Sequence, residues 1–354
     1  MLRKVFTLLS VIALGFVYNA QAKIWRLNNN VAVNADFTTF YQAAGSASVL
    51  AGDTLYLEPS ATAYTTNSFT LTKRLVVIGS GYFLDPTDVT YPFNPGLQVA
   101  GRTAQLGFLY LGAGSDGSKF MGISMEGSVY FSGSSNVKFE KVYFGYGGIY
   151  FQSGTNDNVS IRKCFYYGGS GFSSSTTVTI TNLVIENNIF YGGYLTLDQL
   201  SGSGNIFRNN SIINSGSGFT ISNTYVANNI FGTGGGVSNF VNCTIKNNLF
   251  QSNQTLPGTA TNNQVNVNMA NVYVGGTTGS LDSRAVLKAG SPAIGAGLTV
   301  GAVVTPDCGA YGATDPYKLS GIPNIPSIYA FTVPLSIPAG TTTMNVTFST
   351  RNNQ

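Results

Sequence analysis

Histidine is absent from this chain of 354 residues, and only 9% of the residues are charged. A nucleophilic cysteine requires a histidine partner, so the three cysteines are not expected to be catalytic. Glycine, serine, threonine and asparagine are abundant where charges are scarce. This composition is typical of an extracellular, turn-rich, all-β protein rather than of a cytosolic enzyme.

Long apolar runs are also missing, apart from a short one at the N-terminus. Arg3 and Lys4 precede a largely apolar stretch over residues 5–17, and Ala-Gln-Ala at residues 20–22 forms a small-x-small cleavage site. The stretch is too short to span a bilayer, so residues 1–22 are predicted to be the signal peptide of a secreted protein without a membrane span.

Without Arg3 and Lys4 the chain carries 16 basic and 14 acidic residues, a net charge of +2. So weak a charge argues against a nucleic-acid partner.

What the chain does contain is a nine-residue phrase that occurs six times between residues 136 and 250. The copies read NVKFEKVYF, NVSIRKCFY, NLVIENNIF, GNIFRNNSI, NTYVANNIF and NCTIKNNLF, and their first residues lie 22, 24, 22, 19 and 19 positions apart. A unit of about 20 residues cannot bury its own apolar face, so it must stack on copies of itself. The repeat predicts an all-β, right-handed parallel β-helix.

Stacking the phrases turns each position into a column, and two columns are predicted to face the core. Position four holds Phe139, Ile161, Ile185, Phe207, Val226 and Ile245. Position nine holds Phe144, Tyr166, Phe190, Ile212, Phe231 and Phe250. Position five follows a core-facing residue and should point outward; it holds Glu140, Arg162, Glu186, Arg208, Ala227 and Lys246. The alternating charges of its first four members predict an exposed ladder of ion pairs, which a slip by one coil would disrupt.

Position seven ends in four asparagines: Asn188, Asn210, Asn229 and Asn248. They are predicted to form a structural ladder at a tight bend, where asparagine tolerates a left-handed backbone and its amide can bond to the copies above and below. A ligand-binding role for these asparagines is the alternative.

The cysteines are predicted to be free and buried. Cys164 and Cys243 lie four repeat units apart, which at about 4.8 Å per coil separates them by about 19 Å. They cannot form a disulfide at that distance, and Cys308 lies outside the repeats.

Tyrosines follow the first three phrases directly, in glycine-rich segments. They are predicted to meet at one corner of the solenoid as Tyr146, Tyr167, Tyr191 and Tyr194. An intramolecular aromatic stack beside glycine turns is the favoured interpretation of this corner. Glycan binding is the alternative, because apolar sugar faces stack on aromatic rings at a rigid rim, and these four tyrosines are its candidate residues.

Both ends of the solenoid require a cover. Asp36 is predicted to N-cap a short helix over the first coil. The segments LKAGSPAIGAG, from Leu287, and DCGAYG, from Asp307, are predicted to close the far end.

A β-hairpin is predicted near the C-terminus. An apolar face alternates through Tyr329, Phe331, Val333, Leu335 and Ile337, a turn follows at residues 338–340, and Met344, Val346 and Phe348 alternate again. The hairpin either caps the last coil, which we favour, or pairs with another molecule.

Three motifs together carry a resemblance to a known family: AGDTLYL from Ala51, the repeated phrase, and SPAIGAG followed by DCGAYG. They resemble the pectate-lyase-like, right-handed parallel β-helix proteins secreted by Bacteroidota. The resemblance covers residues 23–318 and leaves 319–354 as a hairpin tail or cap. Because this superfamily includes lyases, hydrolases, adhesins and structural proteins, it implies a fold rather than an activity.

Polygalacturonase-like members use an adjacent pair of aspartates and a Gly-His-Gly segment, which this chain lacks. Pectate-lyase-like members use a basic residue together with calcium held by carboxylates, and the best such candidates here are Arg162, Lys163 and Asp157. Calcium is expected only if the chain is such a lyase; otherwise no metal or cofactor is expected. The favoured function is a secreted, non-catalytic β-helix protein that is glycan-binding, adhesive or structural. A polysaccharide lyase acting on uronate-containing glycans is the alternative.

Overall fold

The computed structural model describes residues 22–65, 67–88, 92–94, 97, 103–169, 171–215, 218–233 and 236–351. The predicted signal peptide, except residue 22, lies outside this range. In the described part of the chain, no helix has the length and apolar character to cross a membrane.

Three parallel sheets form most of the described solenoid, and the third of them ends at Ser174. Sheet 1 consists of Ile24–Leu27, Thr54–Leu57, Val76–Ile78, Lys119–Met121, Lys138–Glu140, Ser160–Arg162, Val184–Glu186, Asn205–Arg208, Thr224–Ala227 and Thr244–Lys246. Sheet 2 consists of Gln105–Leu106, Ser124–Met125, Tyr143–Phe144, Phe165–Gly168, Ile189–Gly192, Ser211–Ile213, Ile230–Phe231 and Leu249–Phe250. Sheet 3 consists of Phe69–Leu71, Leu109–Leu111, Val129–Ser132, Ile149–Ser153 and Phe172–Ser174.

Short strands and helices complete the secondary structure. Thr155–Asp157 pairs with Thr179–Thr181, and a further small sheet joins Thr196–Leu197, Thr220–Ser222 and Asn239–Val241. The α-helix is Phe40–Gly45, and 3-10 helices form at Met269–Asn271, Ser283–Ala285 and Leu319–Gly321.

The strand register follows the repeated phrase. Positions three to five lie in sheet 1 and positions eight and nine in sheet 2, so that Phe139 pairs with Ile161 and Phe144 with Tyr166. All six members of column four are at most 1% exposed, and those of column nine are at most 2% exposed. The predicted interior columns and the predicted parallel β-helix are therefore confirmed.

The corner between sheets 1 and 2 lies at position six, one residue before the predicted bend. Its members have φ angles between 52° and 57°: Lys141, Lys163, Asn187, Asn209, Asn228 and Asn247. A left-handed residue turns the chain sharply, so position six points outward and position seven points inward. The asparagines at position seven are not themselves left-handed, and that part of the prediction is wrong.

The inward asparagines at position seven are bonded along the helix axis. In Asn210, Nδ2 donates to Asn229 Oδ1 (3.0 Å) and to the carbonyl of Ile185 (2.9 Å), while Oδ1 accepts from the backbone and side chain of Asn188. The pattern continues to Asn263, one coil past the last phrase. Each buried amide thereby gains partners without breaking the strand hydrogen bonds.

The segment 293–324, here called the C-terminal strap, runs back along the corner between sheets 1 and 2. Asn247 donates to the carbonyl of Ala296, Asn187 donates to that of Ala310, and Lys141 donates to that of Ile322. The strap thus passes the coils in reverse order. In the coil before Lys141, position six is Gly122, where a Cβ atom would collide with Pro323 of the strap. The prediction that this region closes the far end is wrong, because most of it covers the side of the solenoid.

The two ends of the solenoid are covered differently from the prediction. At the N-terminal end, Phe40, Ala43 and Ala44 of the α-helix are buried, but Thr39 is the N-cap and accepts a hydrogen bond from the amide of Gln42 (3.2 Å). Asp36 instead accepts from the amide of Arg26 (2.8 Å). At the far end an irregular coil pairs with the last strands through bridges at residues 261 and 264.

The predicted hairpin is present, and it does not cap the solenoid. Ser327–Thr332 pairs antiparallel with Thr347–Arg351. Phe331 is 64% exposed, Phe348 62%, and Leu335 fully exposed. The side chain of Tyr329 lies outside the described residues. The hairpin follows the strap, which ends beside Lys141 rather than at the last coil, so the predicted cap over that coil is wrong.

The cysteines are free and buried, as predicted. Burial raises the pKa of the Cys308 thiol to about 12 and raises that of Cys243 as well. Both are therefore protonated at neutral pH and pack as small apolar side chains.

Candidate functional site

The four predicted tyrosines lie in three separate places. Tyr167 and Tyr191 pair in sheet 2, and their rings are near parallel (16°) with centroids 6.2 Å apart. Tyr194 instead bonds through its hydroxyl to the hydroxyl of Tyr150 outside sheet 3. Tyr146 is 75% exposed and lines a shallow depression of about 170 Å³ beside Glu126. The structure therefore brings together two of the four.

Tyr191 lines a groove of about 440 Å³. The groove arises from the column at position ten, one residue beyond the phrase, which runs Tyr167, Tyr191, Ile213, Gly232 and Gln251. Gly232 leaves a gap in this column between the side chains of Ile213 and Gln251, and the column from Tyr191 to Gln251 lines the hollow. Extending the repeat by one residue would have revealed this change from aromatic to glycine in the sequence.

The opposite wall of the groove comes from residues 269–276 and from Arg284. The Nη2 atom of Arg284 donates to the carbonyls of Thr277 (2.8 Å) and Gly279 (3.0 Å), which holds this loop in place. Met269 adds apolar surface to this wall.

The groove combines an aromatic ring and apolar side chains with polar ones from Asn214, Gln251 and Arg284. Its volume falls within the range of about 300–1,000 Å³ that is usual for small-ligand sites. A ligand with an apolar face and many hydroxyl groups matches this surface.

A second group of tyrosines stacks on the outside of sheet 3. Tyr110 and Tyr130 lie 4.6 Å apart at 16°, and Tyr130 and Tyr150 lie 5.3 Å apart at 22°. Such close stacking covers the ring faces, so this group is an intramolecular stack. It lies outside the phrase, and its sequence signal is an apolar-Tyr-apolar triplet in three successive coils.

The charges at position five stack in the predicted order, but they are not all exposed. Glu186 is 5% exposed; Arg162 Nη2 lies 2.9 Å from its Oε2 atom, and Arg208 pairs with its other oxygen. Residues 313–315 of the strap lie beside these side chains and help to cover them. The prediction of a fully exposed ladder is wrong because the strap was not foreseen.

The three lyase candidates are not brought together. Asp157 precedes the strand Ser160–Arg162, and Lys163 follows it. Asp157 Oδ1 accepts from Thr181 Oγ1 (2.6 Å) and Asn182 Nδ2 (2.7 Å), and these hydrogen bonds hold the pKa of this carboxyl below its usual range.

The other two candidates are engaged in ion pairs. Arg162 pairs with Glu186. Lys163 is 5% exposed, pairs with Asp315 of the strap, and has Glu140 Oε1 at 3.7 Å. Among the described residues, no three Asp, Glu, His or Cys side chains are grouped so that they could hold a metal ion.

No protein-family model and no curated protein sequence matches this chain. Among solved structures, the chain is similar to the crystal structure of pectate lyase Pel9A, with a TM-score of 0.31 and 15% sequence identity. The match covers 81% of this chain and 96% of that chain. A likeness this distant carries no argument about function, and the β-helix fold rests on the strand register described above.

Proposed function

We propose that this protein is a secreted, non-catalytic β-helix protein that binds a polysaccharide or a cell-surface glycan in the Tyr191 groove. The observation that carries the proposal is the position of Tyr191, which lies between Tyr167 and Ile213 in its column and lines the 440 Å³ hollow. A centroid separation of 6.2 Å is too large for full overlap of two parallel rings. Part of the aromatic surface therefore remains available to an apolar sugar face.

The surroundings of Arg162 and Lys163 favour binding over lyase chemistry. A catalytic base must be able to reach a proton of the substrate, whereas both cations are held by carboxylates of the protein. Asp157 lies beyond the other end of the intervening strand and has its own hydrogen-bond partners. The polysaccharide lyase alternative therefore has less support than the binding function.

A glycan array with the purified protein identifies the ligand, and substitutions then locate the site. We expect Tyr191→Ala to reduce glycan retention at least tenfold, and Tyr167→Ala to reduce it less. Tyr146→Ala is the matched control, because Tyr146 is exposed and lies outside the groove. Equal retention by the Tyr191 and Tyr146 variants, with all three folded by circular dichroism, would refute the proposed site.

A further inference from the structure

The end of the C-terminal strap is held by a buried lysine. Lys141 is 1% exposed, and its Nζ atom donates to the carbonyl of Ile322 at 2.8 Å. The same Nζ atom contacts Oδ1 of Asn324, which is an exposed residue. Lys141 and Asn324 are 183 positions apart in the sequence, so only the path of the strap brings the amine and the carboxamide together.

We propose that Lys141 and Asn324 form an intramolecular isopeptide bond, a covalent modification that fastens the C-terminal strap to the solenoid. The reaction requires an uncharged amine, a carboxamide within reach and a group that can carry a proton. The fold brings the amine and the carboxamide into contact, and the charge of Glu140 acts on the same amine. The proposal is independent of glycan binding.

The amine is the first requirement. Burial and the neighbouring Lys163 lower the pKa of Lys141 to about 8, against the opposing effect of Glu140 and Asp315. At pH 7 about one Lys141 side chain in ten is then uncharged, and the fraction rises to about half at pH 8. The bond to Ile322 orients the amine at the strap.

The bond changes follow from the two groups. The nitrogen lone pair of Lys141 Nζ attacks Cγ of Asn324, and a new C–N bond forms. A proton passes from Nζ to Nδ2 of Asn324, with Glu140, the residue before Lys141, as the carrier. The Cγ–Nδ2 bond then breaks and ammonia leaves. No atom changes its oxidation state, so no further reactant is needed.

The neighbouring pair, Lys163 and Asp315, has the same layout but different chemistry. Its electrophile would be a carboxylate, and the side chain of Asp315 is 62% exposed. An ionised carboxylate does not accept an amine, so this contact stays an ion pair. Lys163 therefore supplies a matched control for Lys141, one coil further along the stack and also at position six.

Mass spectrometry tests the proposal on the full chain without its signal peptide. We expect the intact protein to be lighter than its sequence by about 17 Da, the mass of ammonia. After digestion, one branched peptide should join Lys141 to Asn324. Glu140→Gln should slow its appearance in freshly purified protein.

Three variants separate the proposal from other sources of the same mass loss. Lys141→Arg and Asn324→Ala should both have the full sequence mass, whereas Lys163→Arg should still lack about 17 Da. Because Asn324 is exposed, its variant tests the reaction even if Lys141→Arg fails to fold. The proposal would be overturned if the wild-type protein had its full sequence mass, or if the mass loss persisted in Asn324→Ala.

Discussion

The side chain of Asn228 and the backbone of Leu298 form a pair of hydrogen bonds across 70 positions of sequence. Asn228 Nδ2 donates to the carbonyl of Leu298 (2.9 Å), and Asn228 Oδ1 accepts from its amide (2.7 Å). An asparagine amide reproduces the pairing of a neighbouring strand in this way. Side chains at the solenoid corner therefore bind the backbone of the strap, and this contact does not depend on the side chain of Leu298.

Replacing Asn228 with alanine should weaken the attachment of the strap. The variant loses both bonds to Leu298 and places alanine at a φ angle of 57°. We expect a loss of about 2–4 kcal/mol in the free energy of unfolding by urea. Asn262→Ala is the control, since Asn262 is exposed and has a φ angle of 55°. The control should lose only about 1–2 kcal/mol, and equal losses would show that the bonds to Leu298 contribute nothing.

Substitution of an inward asparagine at position seven should destabilise the protein more than substitution of an outward asparagine at position six. Asn210→Ala leaves the backbone amide of Asn188 and the carbonyl of Ile185 without their side-chain partner, in a site that is fully buried. We expect a loss of about 3–5 kcal/mol in unfolding free energy. Asn239→Ala, at an exposed strand position, should change it by less than about 0.5 kcal/mol. A small effect at Asn210 would argue against the ladder as a source of stability.

Asp157 should make stability depend on acidic pH. Its hydrogen bonds from Thr181 and Asn182 lower its pKa in the folded state below the unfolded value of about 3.8. The unfolded chain then binds more protons in this window, so the stabilisation is complete above the unfolded pKa and is lost as pH falls through the folded one. Urea midpoints of the wild type and Asp157→Asn should differ by a constant amount between pH 6 and 8 and converge below pH 4. A gap that stays constant down to pH 3 would contradict this.

The hairpin should be dispensable for the stability of the solenoid. Since Phe331, Leu335 and Phe348 are exposed, truncation after Pro326 should leave the unfolding midpoint unchanged. Exposed apolar side chains on a strand pair favour association, so the full chain should self-associate more than the truncated one in sedimentation velocity. Truncation after Ser291 removes the strap as well and should lower the midpoint strongly. A large loss of stability on removing the hairpin alone would show that it docks on the solenoid.

Much of the solenoid could be predicted because its contacts are periodic. The pairing of Phe139 with Ile161, and of Glu140 with Arg162, follows once the phrases are aligned. The groove beside Tyr191 could be predicted only in part. The column from Tyr191 to Gly232 follows from the repeat, but the wall around Arg284 does not.

The sequence by itself determined the parallel β-helix, its coil length and its interior columns, because every phrase has apolar side chains at positions four and nine that must be buried. Only the tertiary structure decided the course of the strap, the burial of Glu186 and the meeting of Lys141 with Asn324. These features depend on single contacts between distant segments, many of them made to backbone carbonyls that every residue possesses. No pattern of side chains marks such contacts in advance, so they become visible only when the chain is folded.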